Sequence, residues 1–182
     1  MIVLIIVVLF VAIILLWAVT SYNSLVKLRN KGDEAEAGID AHLKERADLI
    51  PNLVETVKGY ASHEKEALES VVSARSKASS LQGDERMRAE GELSTALGRL
   101  FAIAESYPEL KANQNFIALQ GELTRLEATL ANARKYYNAI VREYNDKIMV
   151  FPSSLIASLF HFGKRNYIEI DAGDRERVDV RF

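Results

Sequence analysis

The side chains of this chain that are able to do chemistry are thinly spread. His42, His63 and His161 stand far apart, and neither His-Glu-x-x-His nor the Glu-x-x-His pair of di-iron helical bundles occurs. Cysteine is absent, which closes disulfides, thiolate metal sites and cysteine nucleophiles together. Gly163-Lys164 lacks the upstream glycine and the following Ser or Thr of a phosphate-binding loop. There is no Gly-x-Ser-x-Gly nucleophile elbow either. The expectation is a protein that is not an enzyme, with no catalytic residues, no cofactor and no metal. What the spacing does offer is charge set among apolar positions. Glu64 lies seven residues from both Val57 and Val71, Arg75 follows Ala74, Arg134 follows Ala133, and Glu105 flanks a similar apolar row. A charge inside a helical bundle is costly unless it pairs, so Glu64 or Glu105 is expected opposite Arg75 or Arg134, in a network that fixes helix register or, alternatively, serves as a binding or switch site. Asn138 and Asn145 each follow a tyrosine, one heptad apart, and their amides are expected to hydrogen-bond across helices.

The elements that must position these residues are helices. Nine Gly and three Pro in 182 residues, beside abundant Ala, Leu, Glu and Arg, describe a chain of good helix formers. The 23 Lys plus Arg against 25 Asp plus Glu leave a net charge of -2, too small a field to gather nucleic acid. Residues 2–19 are an unbroken apolar run that would cover roughly 27 Å as a helix, close to the hydrocarbon thickness of a bilayer. No Lys or Arg precedes it and Ala18-Val19-Thr20 is a poor cleavage site, so residues 1–21 read as a transmembrane anchor and not a cleaved signal. Trp17 and Tyr22 suit the interface, and Lys27, Arg29 and Lys31 on one side place the helical domain in the cytoplasm.

Beyond the anchor the periodicity predicts four helices over residues 22–152. The first, over 20–48, continues from the anchor and carries Leu25, Leu28, Ile39 and Leu43. Pro51 marks a kink or a new start, after which Leu53, Val57, Tyr60, Leu68, Val71, Ala74 and Ala78 predict a second helix to about Ser80. Gly83 closes it, Asp84 is placed to cap a third over 84–106, and Pro108 ends or restarts the chain there. In the fourth, Phe116, Leu123, Leu130, Tyr137 and Tyr144 recur every seven residues, and Leu119, Leu126, Ala133 and Ile140 form a row three residues on. Short turns make successive helices antiparallel neighbours. The expected fold is all-α: a transmembrane helix continuing into an elongated antiparallel four-helix bundle, with a short β tail over 166–182 where apolar and polar residues alternate.

Because the fourth helix should return toward the bilayer, residues 153–165 read as a short interfacial helix. Leu155, Ile156, Leu159, Phe160 and Phe162 would enter the acyl boundary, with Lys164 and Arg165 at the headgroups. The competing reading has the apolar side chains capping the open end of the bundle.

The blocks Tyr22-Asn23-Ser24-Leu25-Val26, Ile39-Asp40-Ala41-His42-Leu43-Lys44-Glu45-Arg46 and Asp48-Leu49-Ile50-Pro51-Asn52-Leu53-Val54 resemble the LemA family. So do Val57-Lys58-Gly59-Tyr60-Ala61, Ala104-Glu105-Ser106-Tyr107-Pro108-Glu109-Leu110-Lys111-Ala112, Ala133-Arg134-Lys135-Tyr136-Tyr137-Asn138, Tyr144-Asn145 and Phe151-Pro152. The chain departs from the family in having Ala37-Gly38 where a tryptophan is usual. The resemblance implies an N-terminally anchored bacterial protein of the cytoplasmic membrane with an extended antiparallel helical domain, and supplies no catalytic residues. The function expected is a membrane-anchored, non-enzymatic scaffold or adaptor that forms homo-oligomers and presents a helical surface to a membrane or membrane-proximal protein. The alternative is a lipid-interacting, membrane-shaping protein acting through the anchor and the 153–162 segment. The expected partners are therefore the lipid bilayer, further copies of the chain and an unidentified protein, and not nucleic acid.

Overall fold

The computed structural model describes residues 1–168, and every regular element among them is an α-helix. These are α1 (Ile2–Lys58), α2 (Lys65–Ser80), α3 (Gly83–Ala104), α4 (Pro108–Lys111), α5 (Gln114–Met149) and α6 (Ser153–Leu159). The strand pair expected over 166–182 lies, beyond Ile168, outside the described residues; Asn166 to Ile168 have no regular structure.

The break expected at Pro51 does not occur. Helix α1 runs through the proline to Lys58, so residues 52–58 belong to the first helix and the second begins only at Lys65. Proline lacks the N–H that would bond the carbonyl of Ala47 one turn earlier. Arg75 of α2 supplies the missing donor, its Nε reaching the Ala47 oxygen at 2.7 Å. The helix ends instead at Gly59, where Tyr60 and Ala61 both donate backbone hydrogen bonds to Val57 O, at 3.0 and 2.8 Å.

The chain divides into two compact units. The first comprises residues 1–37 and 135–167. Leu25 and Leu28 of α1, Tyr144 and Ile148 of α5, and Ile156 and Ala157 of α6 form its buried cluster, with Trp17, Ala18 and Phe162 packed against it. Helix α6 closes with His161 in the left-handed region at φ 56°, and Phe162 N–H returns to Ala157 O at 2.9 Å. That six-to-one bond is the Schellman ending of a helix, and it turns Phe162 back onto the cluster while leaving Phe160 outside.

The second unit has residues 38–134 as its body. Its core threads Ile50, Leu53 and Val57 of α1 between Leu68 and Val71 of α2, Leu93, Leu97 and Leu100 of α3, and Phe116 and Leu123 of α5. Leu81 leaves α2 with extended backbone, and Gly83 opens α3 at φ +60°, a conformation that glycine adopts without a Cβ clash. The third helix stops at Ala104 and Pro108 begins α4 at its first position, where its missing N–H costs nothing. Along α5 the whole heptad row from Phe116 to Tyr144 is buried; of the second row Leu126 and Ile140 are buried, and Leu119 and Ala133 half-buried.

Candidate functional site

Within the second unit the chemistry gathers on Arg46. This side chain is fully buried, yet it stands in the apolar stripe of α1, between Leu43 and Ile50. Its Nη1 donates to Ser94 Oγ at 2.9 Å and to the carboxylate of Glu127, and its Nη2 to the carboxylate of Glu90 and, at 3.4 Å, to Glu90 O. The Glu90 side chain is 4% exposed and that of Glu127 is 38%, so one carboxylate depends on Arg46 while the other also meets water. Ser94 Oγ lies 2.9 Å from Glu127 Oε1 and 3.1 Å from Glu90 O, which ties the two acids together. Arg86 extends the network outward, with Nη1 2.8 Å from Asp40 Oδ1 and Nε 3.8 Å from Glu90 Oε1. Arg46 Nε is buried without an acceptor among the described residues. The arrangement links α1, α3 and α5 at one level and holds their register. Nor do three His, Cys, Asp or Glu side chains among the described residues gather to hold a metal.

Sequence reasoning missed this network, although the signal was present. Ile39, Leu43, Arg46, Ile50, Leu53 and Val57 keep strict steps of four and three, and so do Glu90, Leu93, Leu97, Leu100 and Ala104. The charged residues expected to pair have other partners. Glu64 precedes α2 and accepts a hydrogen bond from Tyr107 Oη at 2.8 Å. That bond to the Glu64 carboxylate holds the Tyr107 hydroxyl above its ordinary value of 10.0. Arg75 serves the Ala47 carbonyl, and Glu105 pairs with Lys111 at the surface. The expected pairing of Glu64 or Glu105 with Arg75 is thus replaced by three separate contacts. Arg134 is half-buried, and Asn138 is buried.

In the first unit Asn145 is the pivot. Its amide grips the backbone of Arg165 from both sides: Nδ2 donates to Arg165 O at 2.9 Å, and Arg165 N donates to Oδ1 at 3.0 Å. This is the pairing of a strand with an extended neighbour, made by a side chain, and its partner is the segment after α6 and not a helix. Tyr144 Oη donates to Gly163 O at 3.0 Å and Tyr137 Oη to Asn166 O at 3.3 Å, so residues 163–166 are strapped along α5. Burial pushes the Tyr144 hydroxyl above its ordinary value, against the pull of Arg29 and Arg165. The Arg165 guanidinium crosses to α1, where it meets Asp33, lies 2.8 Å from Glu36 and donates to Arg29 O at 3.2 Å. Gly32 makes room, since a Cβ there would stand 3.1 Å from Arg165 Nη1. Arg165 is therefore paired with two carboxylates of α1, whereas Lys164 is exposed.

The apolar segment divides between the two readings given to it. Ile156 is buried in the cluster and Phe162 packs against it, while Leu155, Leu159 and Phe160 stay exposed. Phe160 lies against Tyr22 with ring centroids 4.7 Å apart, and Phe162 meets the same ring at 5.8 Å. The N-terminal part of α1 is long and apolar enough to cross a membrane, and none of that stretch is buried within the chain. At its end Thr20 Oγ1 is folded back on Leu16 O at 3.0 Å and Trp17 O at 2.9 Å, which satisfies the hydroxyl within the helix itself.

The sequence profile of the LemA family matches residues 35–182. The chain belongs to the LemA family. Protein LemA of Metamycoplasma hominis is 28% identical over 160 residues, covering 87% of this chain and 72% of that protein. Magnetosome protein MamQ 2 of Paramagnetospirillum magneticum is 32% identical over 93 residues, which is 50% of this chain and 34% of that protein. Magnetosome protein MamQ of Magnetospirillum gryphiswaldense is 25% identical over 181 residues, 84% of this chain and 66% of its own length. The match thus spans about a third of the first magnetosome protein and just under two thirds of the second. With its apolar N-terminal helix, this LemA family member is a membrane-associated, helical protein.

Proposed function

We propose that this LemA family protein is a membrane-anchored, non-enzymatic scaffold or adaptor of the bacterial inner membrane. In this reading its helices complete an elongated antiparallel four-helix bundle on the cytoplasmic side, which self-associates and presents a helical surface to a protein partner. The observation that carries it is the continuity of α1, which runs from Ile2 to Lys58 with no linker between the apolar span and the polar helix. A scaffold needs a defined orientation to its membrane, and within the first unit the apolar span and the polar stretch up to Ala37 are one helix, which supplies it. Within the first unit that orientation is reinforced by Arg165 on Asp33 and Glu36 and by Lys147 on Ser24. The cations Lys27, Arg29 and Lys31 just beyond the span favour the cytoplasmic side. In the second unit, a groove between the end of α1 and α2 is lined by the apolar Val54, Leu68 and Val72 and by the charged Lys58, Lys65 and Glu69, a surface suited to an amphipathic partner helix. The test is the size of the detergent-solubilised particle before and after deletion of residues 166–182. The scaffold reading expects the deletion to shrink it, and an unchanged particle contradicts assembly through the tail.

The second reading, a lipid-interacting protein that shapes the membrane through the anchor and the 153–162 segment, is supported by the exposure of Leu155, Leu159 and Phe160.

A further inference from the structure

The geometry points to a second membrane contact in the same leaflet in which the span ends: a collar of Met149, Val150, Phe151, Leu155, Leu159 and Phe160 that rests in the acyl–headgroup boundary beside α1. Its occupant is the lipid of the bilayer that α1 crosses. This inference deepens the second reading above; it rests on residues 2–19 crossing the bilayer and not on self-association.

Three observations carry it. The first is composition, since residues 149–163 contain no Asp, Glu, Lys or Arg in a chain that is 26% charged. The second is exposure: Met149 is 50% exposed, Val150 59%, Phe151 75%, Leu155 58%, Leu159 69% and Phe160 52%. A contiguous set of large apolar side chains open to solvent marks an interaction surface. Burial splits α6 by face, for Ile156 and Ala157 pack inward while Leu155 and Leu159, one turn apart, point away.

The third observation identifies what covers the surface. The cluster that seats α6 includes Trp17 and Ala18, which belong to the last turn of the span itself. Phe160 touches Tyr22, which follows Trp17 by about 7.5 Å of helix rise. With residues 2–19 as the span, the hydrocarbon ends within about two turns of α6, at the depth where aromatic and amphipathic groups partition. Trp17, Tyr22, Phe160 and Phe162 then form one aromatic belt, half from α1 and half from the returning chain. Charge resumes just outside, at Lys164 and at Lys27, Arg29 and Lys31, all exposed. The collar fixes the depth and rotation of α1, which a single apolar helix leaves free to tilt and turn.

The absence of native cysteine makes the test direct. Full-length single-cysteine variants Ile5→Cys, Leu159→Cys, Phe151→Cys and Lys44→Cys would each be labelled with an environment-sensitive fluorophore. They are then reconstituted in vesicles of phosphatidylcholine and phosphatidylglycerol, and quenched in turn by aqueous iodide and by lipids carrying a nitroxide high on the acyl chain. The expected result is that the labels at Leu159 and Phe151 are quenched by the shallow nitroxide and are about fivefold or more less accessible to iodide than the label at Lys44. Equal iodide access at Leu159 and Lys44, with lipid quenching retained at Ile5, overturns the collar and leaves the span intact. Shielding from iodide without nitroxide quenching overturns it as well, because protein and not lipid then covers the face. Loss of lipid quenching at Ile5 removes the span, and the collar with it.

Discussion

Replacing Arg46 by methionine tests whether the second unit is organised around a buried charge. The substitution keeps most of the side-chain length and removes the guanidinium from between Glu90 and Glu127. Four contacts disappear: those to Ser94 Oγ, to the Glu127 carboxylate, to the Glu90 carboxylate and to Glu90 O. Glu127 is 38% exposed and regains water, so its share of the loss is small. The Glu90 side chain is 4% exposed and, among the described residues, retains only the cation of Arg86, whose Nε is 3.8 Å away. Breaking a buried pair by removing one partner costs about 3–5 kcal/mol. The surviving Arg86 and the freedom of Glu127 place Arg46→Met near about 3 kcal/mol, the lower end of that range. In a unit of this size the midpoint of thermal unfolding should fall by roughly 15 °C. Far-UV circular dichroism of the full chain in mild detergent reads the change. The double variant Arg46→Met with Glu90→Met should be less unstable than Arg46→Met alone, because no buried carboxylate is left without its partner. Stability of Arg46→Met within about 0.5 kcal/mol of wild type would refute the reasoning. So would a double variant whose loss equals the sum of the two single losses.

Arg75→Ala strands the Ala47 carbonyl and should cost about 1–2 kcal/mol, but in a Pro51→Ala background residue 51 regains its N–H and the cost should largely vanish; a double-mutant unfolding cycle shows whether the two changes couple. Asn145→Ala removes both hydrogen bonds to the Arg165 backbone and should cost about 1–3 kcal/mol, with faster amide exchange at Arg165 as the local readout. The folded-state value of Tyr107 is raised above its ordinary 10.0 by the bond to Glu64, so the associated stability is present below that value and is lost as pH rises through the folded one. Alkaline unfolding above about pH 10 should therefore be shallower in Tyr107→Phe than in wild type, which a pH titration of ellipticity measures.

Much of the architecture is legible in the pattern of apolar residues. The buried row from Phe116 to Tyr144 follows a seven-residue spacing that only one face of a helix can produce. The continuation of the anchor into α1 follows from the lack of any linker after Tyr22. The misplaced turn at Pro51 has a specific origin, because whether a helix survives a proline depends on whether another group satisfies the orphaned carbonyl. Here that group is Arg75, 28 residues along the chain and invisible to any local rule. The same misplacement hides the Arg46 network. A first helix that ends near residue 48 cuts the stripe running from Ile39 to Val57, and leaves Arg46 near a terminus instead of in mid-seam. For Asn145 the spacing points to an inter-helix contact, because side-chain amides do not announce their partners. Its actual partner, an extended backbone, becomes visible only with residues 163–166 in place. The apolar 153–162 segment is both cap and exposed face, which a single composition-based choice cannot express.

The central claim, that this LemA family protein acts as a self-associating membrane scaffold, is tested most directly by the mass of the full-length complex. The protein would be extracted with its native lipids into polymer nanodiscs and weighed by native mass spectrometry or mass photometry. Self-association predicts a discrete particle holding several copies of the 20.4 kDa chain. A single copy per particle across the concentration range of the cell would contradict it.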